Sequence, residues 1–369
     1  MLVVIRGAGD IATGIALRLW RAGMQVVMTD IPAPTAIRRT VCFSQAVVHG
    51  EAEVEGVQAR RAEGPEQAAE LLKEGVIPVL ADPEGSCIPV LKPDAVVDAI
   101  LAKKNLGTKI TDAPVVVGVG PGFTAGVDCH AVVETMRGHT LGRVYHQGSA
   151  LPNTGIPGLI GGFAGERVLR APADGVFHQL LDIGAQVKMG DVAATVDGEP
   201  MICTLDGVLR GILPEGTPVH KGMKAGDIDP RCAVEHCYTA SDKALAVGGG
   251  VLEAIMHLSG VLRHPLVPAE SALYDRLEQE LFRHKSLGGA GGPDFRRPGA
   301  GIHVSGGAVF PLPERGRTGR LPVEGRAGDL PGGHLAAFVR RPVGGAAVSG
   351  GLGRMYAGDV ILRGAWYGK

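Results

Sequence analysis

Residues 2–30 read LVVIRGAGDIATGIALRLWRAGMQVVMTD and place two apolar runs on either side of a glycine-rich turn. The first run extends from Leu2 to Ile5 without a polar break, as in a strand that is buried on both faces. Apolar residues with helical spacing follow the turn, and the second apolar run ends at Asp30. The segment therefore predicts strand, turn, helix and strand, the repeating unit of a parallel α/β sheet.

The same alternation continues along the chain. Apolar runs occur at 76–82 (VIPVLAD) and 115–120 (VVVGVG), and we interpret EQAAELLKEG (66–75) and DAVVDAILAKKN (94–105) between them as helical. We therefore predict an α/β fold that begins with a Rossmann-like parallel sheet domain at residues 1–165.

Near residue 167 the helical periodicity disappears and an internal repeat with an offset of 32 residues begins. The pattern D-G-V, then a strand, then G-x-x-V-x-x-G occurs in both copies. Its members are Asp174, Gly175, Val176, Leu181, Gly184, Val187 and Gly190, which recur as Asp206, Gly207, Val208, Leu213, Gly216, Val219 and Gly222. Two such halves resemble the barrel-sandwich hybrid of biotinyl and lipoyl carrier domains, and we place a β-rich domain of this kind at residues 166–230.

The hairpin between the two repeats reads ATVDGEPMICT (194–204) and contains no lysine. Carrier domains attach biotin or lipoate to a lysine amine at this tip. We therefore expect neither biotin nor lipoate here, and we interpret the domain as one that docks or spaces another component.

The rest of the chain divides into two segments. We predict a helical segment at residues 231–285, which contains SDKALAVGGGVLEAIMHL (241–258), flexible at its three glycines, and the amphipathic AESALYDRLEQELFRHK (269–285). Residues 286–369 are rich in glycine, arginine and proline, so we predict a low-complexity tail that is poorly ordered.

The overall composition argues against several functional classes. The net charge is −1 and aromatic residues make up 4% of the chain, so we expect no nucleic-acid partner. No apolar run approaches the roughly 20 residues that a membrane span needs, and the first residues lack the basic start of a signal peptide. Six scattered cysteines show no disulfide pattern, which favours a cytoplasmic protein with reduced thiols.

The turn GAGDIATG has the context of a dinucleotide-binding fingerprint. Gly7 would form the turn, Gly9 would allow close approach of a phosphate, and Asp10 opens the helix. Asp30 lies where an acidic residue meets a ribose, and Ala12 replaces the third glycine. We predict that Gly7, Gly9, Asp10 and Asp30 bind a cofactor. The alternative is a tight turn in a sheet whose nucleotide site has been lost.

A second glycine turn follows the apolar run at 115–120, in VGVGPGFTAG. It would lie at the carboxyl end of a strand, where open α/β sheets bind ligands. Gly118, Gly120 and Gly122 would leave backbone N–H groups free for an anion, and Arg137 would supply positive charge. We predict that these four residues also contact the cofactor.

The segment VDCHAVVE (127–134) follows that turn. If it is a strand, alternation places Asp128 and His130 on one face and Cys129 on the other. Asp128 and His130 then form an acid/base pair or a metal pair, and Cys129 is a candidate thiol. The alternative is a sheet edge with solvated polar residues.

The segment DPRCAVEHCYTASDKA contains Cys232, His236 and Cys237 in a C-x3-H-C pattern. Thiolates with an imidazole are ligands for zinc, and thiolates also handle sulfur or selenium. Cys232 and Cys237 are therefore candidate catalytic thiols, and the three residues are a candidate metal set. The alternative is two half-buried cysteines that flank a histidine.

Long motifs connect the chain to a known family. GAGDIATG, IPVLKPDAVVDAILAKKN, GVGPGFTAGVDCHAVVETMRGH, PNTGIPG and GDIDPRCAVEHCYTASDKALAVGGGVLEA occur in one colinear order within residues 1–258. In these motifs and in the repeat, the chain resembles the YqeB-type family, accessory proteins of selenium-dependent molybdenum hydroxylases.

The resemblance implies a maturation factor rather than a stand-alone enzyme. Such a protein would help install or mature a molybdenum cofactor with labile selenium in hydroxylases of the xanthine dehydrogenase type. Its partners would be the hydroxylase and other maturation proteins of the same system. The family supplies no catalytic residues. Our hypothesis is that the first domain binds a nucleotide or the nucleotide-bearing molybdenum cofactor, while thiols assist selenium transfer.

Two other functions fit the same residues. An NAD-dependent oxidoreductase would use Asp128 and His130 beside the nicotinamide. A non-catalytic adaptor would dock the hydroxylase through the β-rich domain and retain the first domain as a relic.

The resemblance changes after about residue 260. ALYDRLEQELFRHKSLGGAGG (272–292) resembles the start of a companion family, YqeC, whose nucleotide loop reads GAGGKT. Pro293 stands where the lysine would follow. Either a fused YqeC-like domain has been disrupted here, or the chain has a basic tail.

Overall fold

Nine strands form one mixed sheet in the computed structural model, which describes residues 1–261. The strands are β1 (Leu2–Arg6), β2 (Gln25–Asp30), β3 (Glu51–Val54), β4 (Val57–Ala62), β5 (Ile77–Ala81), β6 (Ala95–Asp98), β7 (Val115–Val119), β8 (Ala131–Val133) and β9 (Val144–Tyr145). Their order across the sheet is β3-β4-β5-β2-β1-β6-β7-β8-β9. The strands from β4 to β8 in this order run parallel, and β3 and β9 pair antiparallel at the two edges.

The order of the parallel strands reverses between β1 and β6. From β1 the chain moves outward through β2 on one side, whereas β6, β7 and β8 follow one another on the other side. Open α/β sheets bind ligands outside the carboxyl ends of the strands at such a point. Because β1 ends at Arg6, the turn GAGD lies at this position.

Five helices accompany these strands: α1 (Asp10–Arg21), α2 (Gln45–His49), α3 (Pro65–Lys73), α4 (Ile88–Leu91) and α5 (Asp242–Ser259). The residues of β1 divide between two cores because strand side chains alternate. Val3 and Ile5 join the core that contains α1 and α5, and Val4 joins the core that contains residues of α3 and α4. The sheet is therefore covered on both faces.

Helices α1 and α5 pack closely because glycine stands at their crossing. A Cβ atom at Gly14 would lie 2.5 Å from the Cβ of Ala244, and one at Gly248 would lie 2.9 Å from the carbonyl oxygen of Gly14 and 2.8 Å from Cγ of Arg18. Later residues of α1 meet later residues of α5, so the two helices run in the same direction. Both therefore begin at the carboxyl edge of the parallel strands.

A second region consists of two four-stranded sheets around a separate core. Its strands are β10 (Val168–Arg170), β11 (Gly175–Gln179), β12 (Gln186–Val187), β13 (Val192–Val196), β14 (Glu199–Ile202), β15 (Gly207–Ile212), β16 (Pro218–Val219) and β17 (Lys224–Asp229). The sheet orders are β10-β17-β15-β12 and β14-β13-β11-β16.

The sequence repeat corresponds to equivalent strands of these two sheets. Strands β15, β16 and β17 begin at residues 207, 218 and 224, and β11, β12 and β13 begin at residues 175, 186 and 192, so each pair differs by 32. The repeats also exchange partners, because β11 pairs with β16 and β12 pairs with β15. Each sheet therefore contains strands from both repeats.

The loop after β2 attaches this region to the nine-stranded sheet. Ile37 lies in the core of the second region, and its carbonyl accepts a hydrogen bond from the N–H of Ile212. Arg39 donates from Nε to the carbonyl of Ile212 and from Nη2 to Oε1 of Gln179. Residues 1–261 all belong to one compact unit of the chain.

Three expectations from the sequence change. Residues 94–105 were expected to be helical, but β6 occupies Ala95–Asp98, because a short apolar run fits a buried strand as well as a helix. Residues 127–134 were expected to be extended, but only β8 at Ala131–Val133 is a strand. The three glycines of α5 lie within one continuous helix, in which Gly248 and Gly250 allow close packing.

Several expectations fall outside the described residues. These are the amphipathic segment 269–285, the YqeC-like segment 272–292 and the low-complexity tail 286–369. The domain boundaries 1–165, 166–230 and 231–285 stay predictions. Among residues 1–261, no helix combines the length and apolar character that a membrane crossing requires.

Candidate functional site

The first residue of the turn after β1, Gly7, is a glycine that its backbone conformation and close neighbours require. Gly7 has φ +98°, which favours glycine, and a Cβ atom there would lie 2.8 Å from the carbonyl oxygen of Ala99. Its N–H donates to the carbonyl of Thr29. Gly7 therefore allows the turn to pass close to the segment after β6.

Asp30 holds the same turn from the end of β2. Its carboxylate accepts a 2.9 Å hydrogen bond from the N–H of Ala8 and a 2.8 Å bond from the N–H of Ile31. Burial raises the pKa of Asp30, and these two hydrogen bonds oppose the rise. Asp30 thus lies beside the glycine turn, as the fingerprint predicts, and is bound to its backbone.

Gly9, at the start of α1, faces unfilled space. Gly9 is the N-cap of α1, and no side chain caps the helix. A Cβ atom at Gly9 would meet nothing within 4 Å. The first N–H groups of a helix have no partner within the helix and carry partial positive charge, so an uncapped helix start suits an anion.

Arg38 connects this helix start to the second region. Its Nη1 lies 3.4 Å from Oδ2 of Asp10, and its Nη2 donates to the carbonyl oxygens of His236 and Thr239. The residue is buried, and its Nε has no hydrogen-bond partner within residues 1–261. Arg38 thus fixes the segment before α5 against the start of α1.

The start of α5 adds further charges at this edge. Arg137 forms a two-pronged ion pair with Asp242, at 2.7 and 2.9 Å. The hydrogen bonds from Arg137 hold the pKa of Asp242 at about 2. Next to this pair, burial lowers the pKa of Lys243, and the nearby charge of Arg137 adds to the decrease while Asp10 opposes it. Arg137, one of the predicted contact residues, therefore lies at the start of α5.

The second glycine turn is filled by protein atoms. A Cβ atom at Gly118 would lie 2.5 Å from the ring of Phe123, and one at Gly120 would lie 2.8 Å from Oγ1 of Thr135. The N–H of Gly120 donates to the carbonyl of Val133. At Gly122 the same position lies 2.7 Å from the backbone of Lys104. The expectation that these glycines expose free N–H groups is therefore wrong for Gly118 and Gly120: the first lies within β7, and the second is hydrogen-bonded.

Asp128 and His130 each have their own structural partners. Asp128 accepts hydrogen bonds from the N–H of Thr124 at 2.7 Å and from Nδ2 of Asn105 at 3.3 Å. Nδ1 of His130 accepts a 3.0 Å bond from the N–H of Val116, so the proton of the neutral ring is on Nε2. Because the segment is a turn rather than a strand, the alternation that would have paired the two side chains does not apply.

Glu134 has a structural role at the end of β8. It is fully buried, and its carboxylate accepts hydrogen bonds from the N–H groups of Thr135, Met136 and Leu151. These bonds hold the turn that carries Arg137 towards α5. Glu134 therefore positions the edge without being free to bind a ligand.

The candidate thiols differ in exposure. Cys129 and Cys237 are fully buried, and burial raises the pKa of Cys129 to about 11 and also raises that of Cys237. Cys232 is exposed and has φ 58°, in the left-handed region. Cys232 is thus the candidate thiol that solvent reaches.

The candidate metal set is not assembled. Within residues 1–261, no group of three His, Cys, Asp or Glu side chains is arranged to hold a metal ion. His236 instead has Nδ1 at 3.6 Å from Oδ2 of Asp229.

Asp229 is the centre of a buried charge network next to His236. It accepts hydrogen bonds from Arg210 at 3.1 Å and from Arg231 at 2.6 and 2.9 Å. Asp227, two residues earlier on β17, pairs with Arg210 and, at 2.9 Å, with Arg167. The network fixes the end of β17, from which the chain crosses to Cys232 and α5.

Two cavities lie away from this edge. One of about 550 Å³ is lined by Ile88, Lys92, Asp94 and residues 111–114, where β6 and β7 begin. Another of about 290 Å³ lies along β3 and β4. We assign the candidate site to the edge with α1 and α5 on charge and helix geometry, because small-molecule clefts at strand starts are not typical of open α/β sheets.

Sequence reasoning missed Arg38 and Lys243. Arg38 contacts a residue 198 positions away, and Lys243 precedes Ala244, which packs on Gly14 of α1. Neither residue lies in a local motif that predicts a binding role. The glycines of α5 were the one available signal, since glycine within a helix often marks a close contact.

Comparisons with known proteins identify one curated relative. No protein-family profile matches the chain. Two solved structures are weakly similar to the chain. An aspartoacylase family protein from Mesorhizobium loti has 13% identity and a TM-score of 0.19, over 62% of this chain and 83% of that one. A succinylglutamate desuccinylase/aspartoacylase from Rhodobacter sphaeroides has 15% identity and a TM-score of 0.20, over 62% of this chain and 84% of that one, and both TM-scores are too low to carry a functional inference. The chain is 54% identical over 257 residues to the uncharacterized protein YqeB of Escherichia coli. This match covers 70% of the chain and 48% of the relative, so the chain is similar to about half of YqeB.

Proposed function

We propose that the chain is an accessory protein that binds a nucleotide, or the nucleotide part of a molybdenum cofactor, at the carboxyl edge where α1 and α5 begin. The bound form would assist maturation of a selenium-dependent molybdenum hydroxylase of the xanthine dehydrogenase type. The observation that carries the binding part is the uncapped start of α1, with open space at Gly9 and Asp30 bound to the turn at Ala8.

The architecture supports a Rossmann-like assignment of the first part. The glycine turn joins the first strand to the first helix, and it lies where the order of the parallel strands reverses. Nucleotides bind such sheets with a phosphate at the helix start and an acidic residue at the end of the second strand. Gly9 and Asp30 hold these two positions.

The second region supports a barrel-sandwich hybrid as the finer description. Two repeats contribute equivalent strands to two facing sheets, and the β13–β14 hairpin turns at Asp197 and Gly198 without a lysine. We propose that this region docks the hydroxylase or another maturation protein, while the attachment at Ile37 and Arg39 keeps it beside the nucleotide site.

The selenium role rests on the resemblance to the YqeB-type family, which agrees with the similarity to YqeB. The exposed Cys232 is the thiol that fits it, because a buried thiol of raised pKa is a poor nucleophile. Cys129 and Cys237 fit it less well.

Binding is tested with the full chain by isothermal titration calorimetry against ADP, CDP and NAD. A valine at Gly9 has room and an ordinary backbone conformation, so Gly9→Val should fold and block the ligand. Gly165 also has open space for a side chain, which makes Gly165→Val the matched control. We expect one nucleotide to bind the wild type and Gly165→Val but not Gly9→Val. Equal binding by all three proteins would contradict the proposed site.

Maturation is tested by co-expression with a selenium-dependent molybdenum hydroxylase and measurement of its selenium and molybdenum content. We expect Gly9→Val to lower both, and Cys232→Ser to lower selenium with molybdenum unchanged. Unchanged selenium and molybdenum content with all four variants, Gly9→Val, Cys232→Ser, Cys129→Ser and Cys237→Ser, would contradict the maturation role.

A non-catalytic adaptor is the second candidate function. An exposed loop with apolar side chains supports it, because Ile156 is 73% exposed and Leu159 is 69% exposed. Such residues are frequent at protein contacts. In a pull-down experiment, capture of the hydroxylase by the Gly9→Val protein would favour the adaptor if capture is lost when Ile156 and Leu159 are both changed to serine.

A further inference from the structure

The loop at residues 99–108 lies beside the glycine turn, on the side away from β2. Gly7 is in contact with the ends of both neighbouring strands: its N–H donates to the carbonyl of Thr29, and a Cβ atom there would lie 2.8 Å from the carbonyl oxygen of Ala99. Strand pairing also continues past β6, because the N–H of Ala99 donates to the carbonyl of Arg6 at 2.8 Å. The loop therefore leaves the sheet next to the turn, where the order of the parallel strands reverses.

Three buried side chains form a network under this loop. Arg6, Asp98 and Thr108 are each at most 2% exposed. Nη1 of Arg6 donates to Oγ1 of Thr108 at 2.5 Å, and the same hydroxyl donates to Oδ2 of Asp98 at 2.6 Å. Nη1 of Arg6 also lies 3.7 Å from that carboxylate oxygen. The hydroxyl of Thr108 thus joins a buried cation to a buried anion.

The other hydrogen bonds of the network go to the backbone of loops. Nη2 of Arg6 donates to the carbonyl oxygens of Leu106, at 3.2 Å, and of Pro83 in the loop after β5, at 3.0 Å. Oδ1 of Asp98 accepts a 3.1 Å bond from the N–H of Ile100. A buried ion pair adds little net stability, and it is costly when one partner is lost. The contacts of the network therefore indicate a role in fixing these loops at the carboxyl edge.

The loop is held in a backbone conformation that needs such support. Leu101 has φ 61° and Lys103 has φ 64°, in the left-handed region that residues other than glycine rarely adopt. Within the loop, Oδ1 of Asn105 accepts the N–H of Thr108 at 2.8 Å, and Nδ2 of Asn105 donates to the carbonyl of Thr108 at 2.8 Å. Strained backbone persists only where its surroundings fix it, so the position of the loop depends on Thr108 and its partners.

We propose that this network positions the loop 99–108 as the wall that receives the second half of a dinucleotide. Open α/β sheets bind dinucleotides across the crevice where the strand order reverses, so that one half of the ligand lies on each side. Asp30 stands on the β2 side of the glycine turn, and the loop stands on the β6 side. The three network residues are positioning residues, because they act through the loop. The inference rests on the proposed function and names the class of nucleotide.

Thr108→Val tests the network, because it removes the bridging hydroxyl with little change of volume. Thr108→Ser keeps the hydroxyl, and Thr217→Val removes a comparable one, which donates to the carbonyl of Pro214 at 2.7 Å in the β-rich region. Calorimetry with the full chain measures binding of NAD, a dinucleotide, and of ADP, which ends at the diphosphate. We expect Thr108→Val to weaken NAD about tenfold, as loss of one partner of a buried hydrogen bond does, and ADP by less than about twofold. Thr108→Ser and Thr217→Val should bind both ligands like the wild type.

Hydrogen exchange of the peptide that spans the loop tests the same contact without a substitution. In the wild type, NAD should slow exchange in residues 99–108 and ADP should not, because only NAD extends to the wall. Melting temperatures of Thr108→Val and Thr217→Val measure what each hydroxyl contributes to stability. A purely structural role of Thr108 would lower the melting temperature without separating the affinity for NAD from the affinity for ADP.

The outcomes separate this inference from the proposed function. Equal weakening of NAD and ADP in Thr108→Val, or no weakening of either, overturns the dinucleotide wall, while loss of ADP binding in Gly9→Val would still support a nucleotide site. NAD binding that weakens in Thr108→Val but not in Gly9→Val supports the wall and contradicts the site at Gly9. A wild type that binds neither ADP nor NAD overturns the inference, whereas CDP binding that Gly9→Val abolishes would still support the proposed function.

Discussion

At the scale of single residues, the local sequence pattern predicted the position of the glycine turn and of Asp30. The turn at Gly7 and Gly9 and the position of Asp30 follow from one short segment, and the structure places them together. The pair Asp128 and His130 depended on extended backbone, which the chain lacks there. Lys243 could not be found from its neighbours in sequence, because the packing of Ala244 on Gly14 joins distant segments.

Thiol exposure gives a direct prediction. Five of the six cysteines are buried and Cys232 is exposed. We expect a disulfide reagent such as DTNB to modify about one thiol rapidly in the native protein, since buried thiols react only after opening. Cys232→Ser should remove the fast phase, and Cys203→Ser should leave it. A fast phase of two or more thiols would contradict the described packing.

The buried carboxylate of Asp229 gives a prediction about pH. Burial alone would raise its pKa, but hydrogen bonds from Arg231 and the charges of Arg210 and Arg231 hold the pKa well below its usual range. A carboxyl group whose pKa is depressed by folding stabilises the protein at pH values above its pKa in the unfolded chain, about 3.9. That stabilisation is lost as the pH falls towards its pKa in the folded protein. We expect Asp229→Asn to lower the free energy of unfolding at pH 7 by about 3 kcal/mol, as breaking a buried pair does.

Urea denaturation from pH 7 down to pH 3 measures that effect. The difference between wild type and Asp229→Asn should shrink at the acid end, because wild-type Asp229 loses its advantage there. Asp206→Asn, at an exposed ion pair with Lys188, should leave stability nearly unchanged. A constant difference at every pH would show that the variant acts through packing instead of charge.

At the scale of elements, the alternation of strands and helices was predictable for the parallel sheet, and the repeat predicted equivalent strands of the second region. The error at 94–105 arose because β6 is four residues long and bounded by residues that also favour helix. The short α2 and α4 were not predicted, because helices of one turn leave no periodic pattern. Helix α5 was predicted, but its place beside α1 depends on contacts between distant segments.

The glycines of α5 give a matched pair of predictions. A methyl group at Gly248 would meet Arg18 and the carbonyl of Gly14, whereas one at Gly249 would meet nothing within 4 Å. We expect Gly248→Ala to lower the free energy of unfolding by about 1–3 kcal/mol through overpacking. Gly249→Ala should raise it by up to about 1 kcal/mol, because alanine favours helix over glycine. Chemical denaturation measures both. Similar shifts in both variants would mean that α5 does not pack on α1 through Gly248.

At the scale of the whole molecule, composition and pattern predicted an α/β part followed by a β-rich part. They did not predict that Ile37 would enter the core of the second part, or that α5 would return to the core of the first. Both contacts join segments far apart in sequence, and a local pattern contains no information about its distant partner. The candidate site is built from such contacts, which explains why only its glycine turn was visible beforehand.

The attachment at Ile37 predicts cooperative unfolding. Ile37 is buried in the second core, and Ile31 in the same loop is 41% exposed. We expect the wild type to show one calorimetric transition for these two parts. Ile31→Asp should also show one transition, because a carboxylate at this exposed position stays in contact with solvent. Ile37→Asp places an unpaired carboxylate in an apolar core, so it should split the transition in two. A single transition in Ile37→Asp would show that other contacts suffice.

The return of α5 has a consequence for how the protein is made. A ribosome delivers the chain from its first residue, and the strands of the large sheet emerge long before Ala244, Val247 and Val251, which cover one of its faces. Until α5 has been synthesised, the part of that face that α5 covers stays open to solvent and to other nascent chains. The core of the nine-stranded sheet is therefore complete only after the β-rich region has been translated.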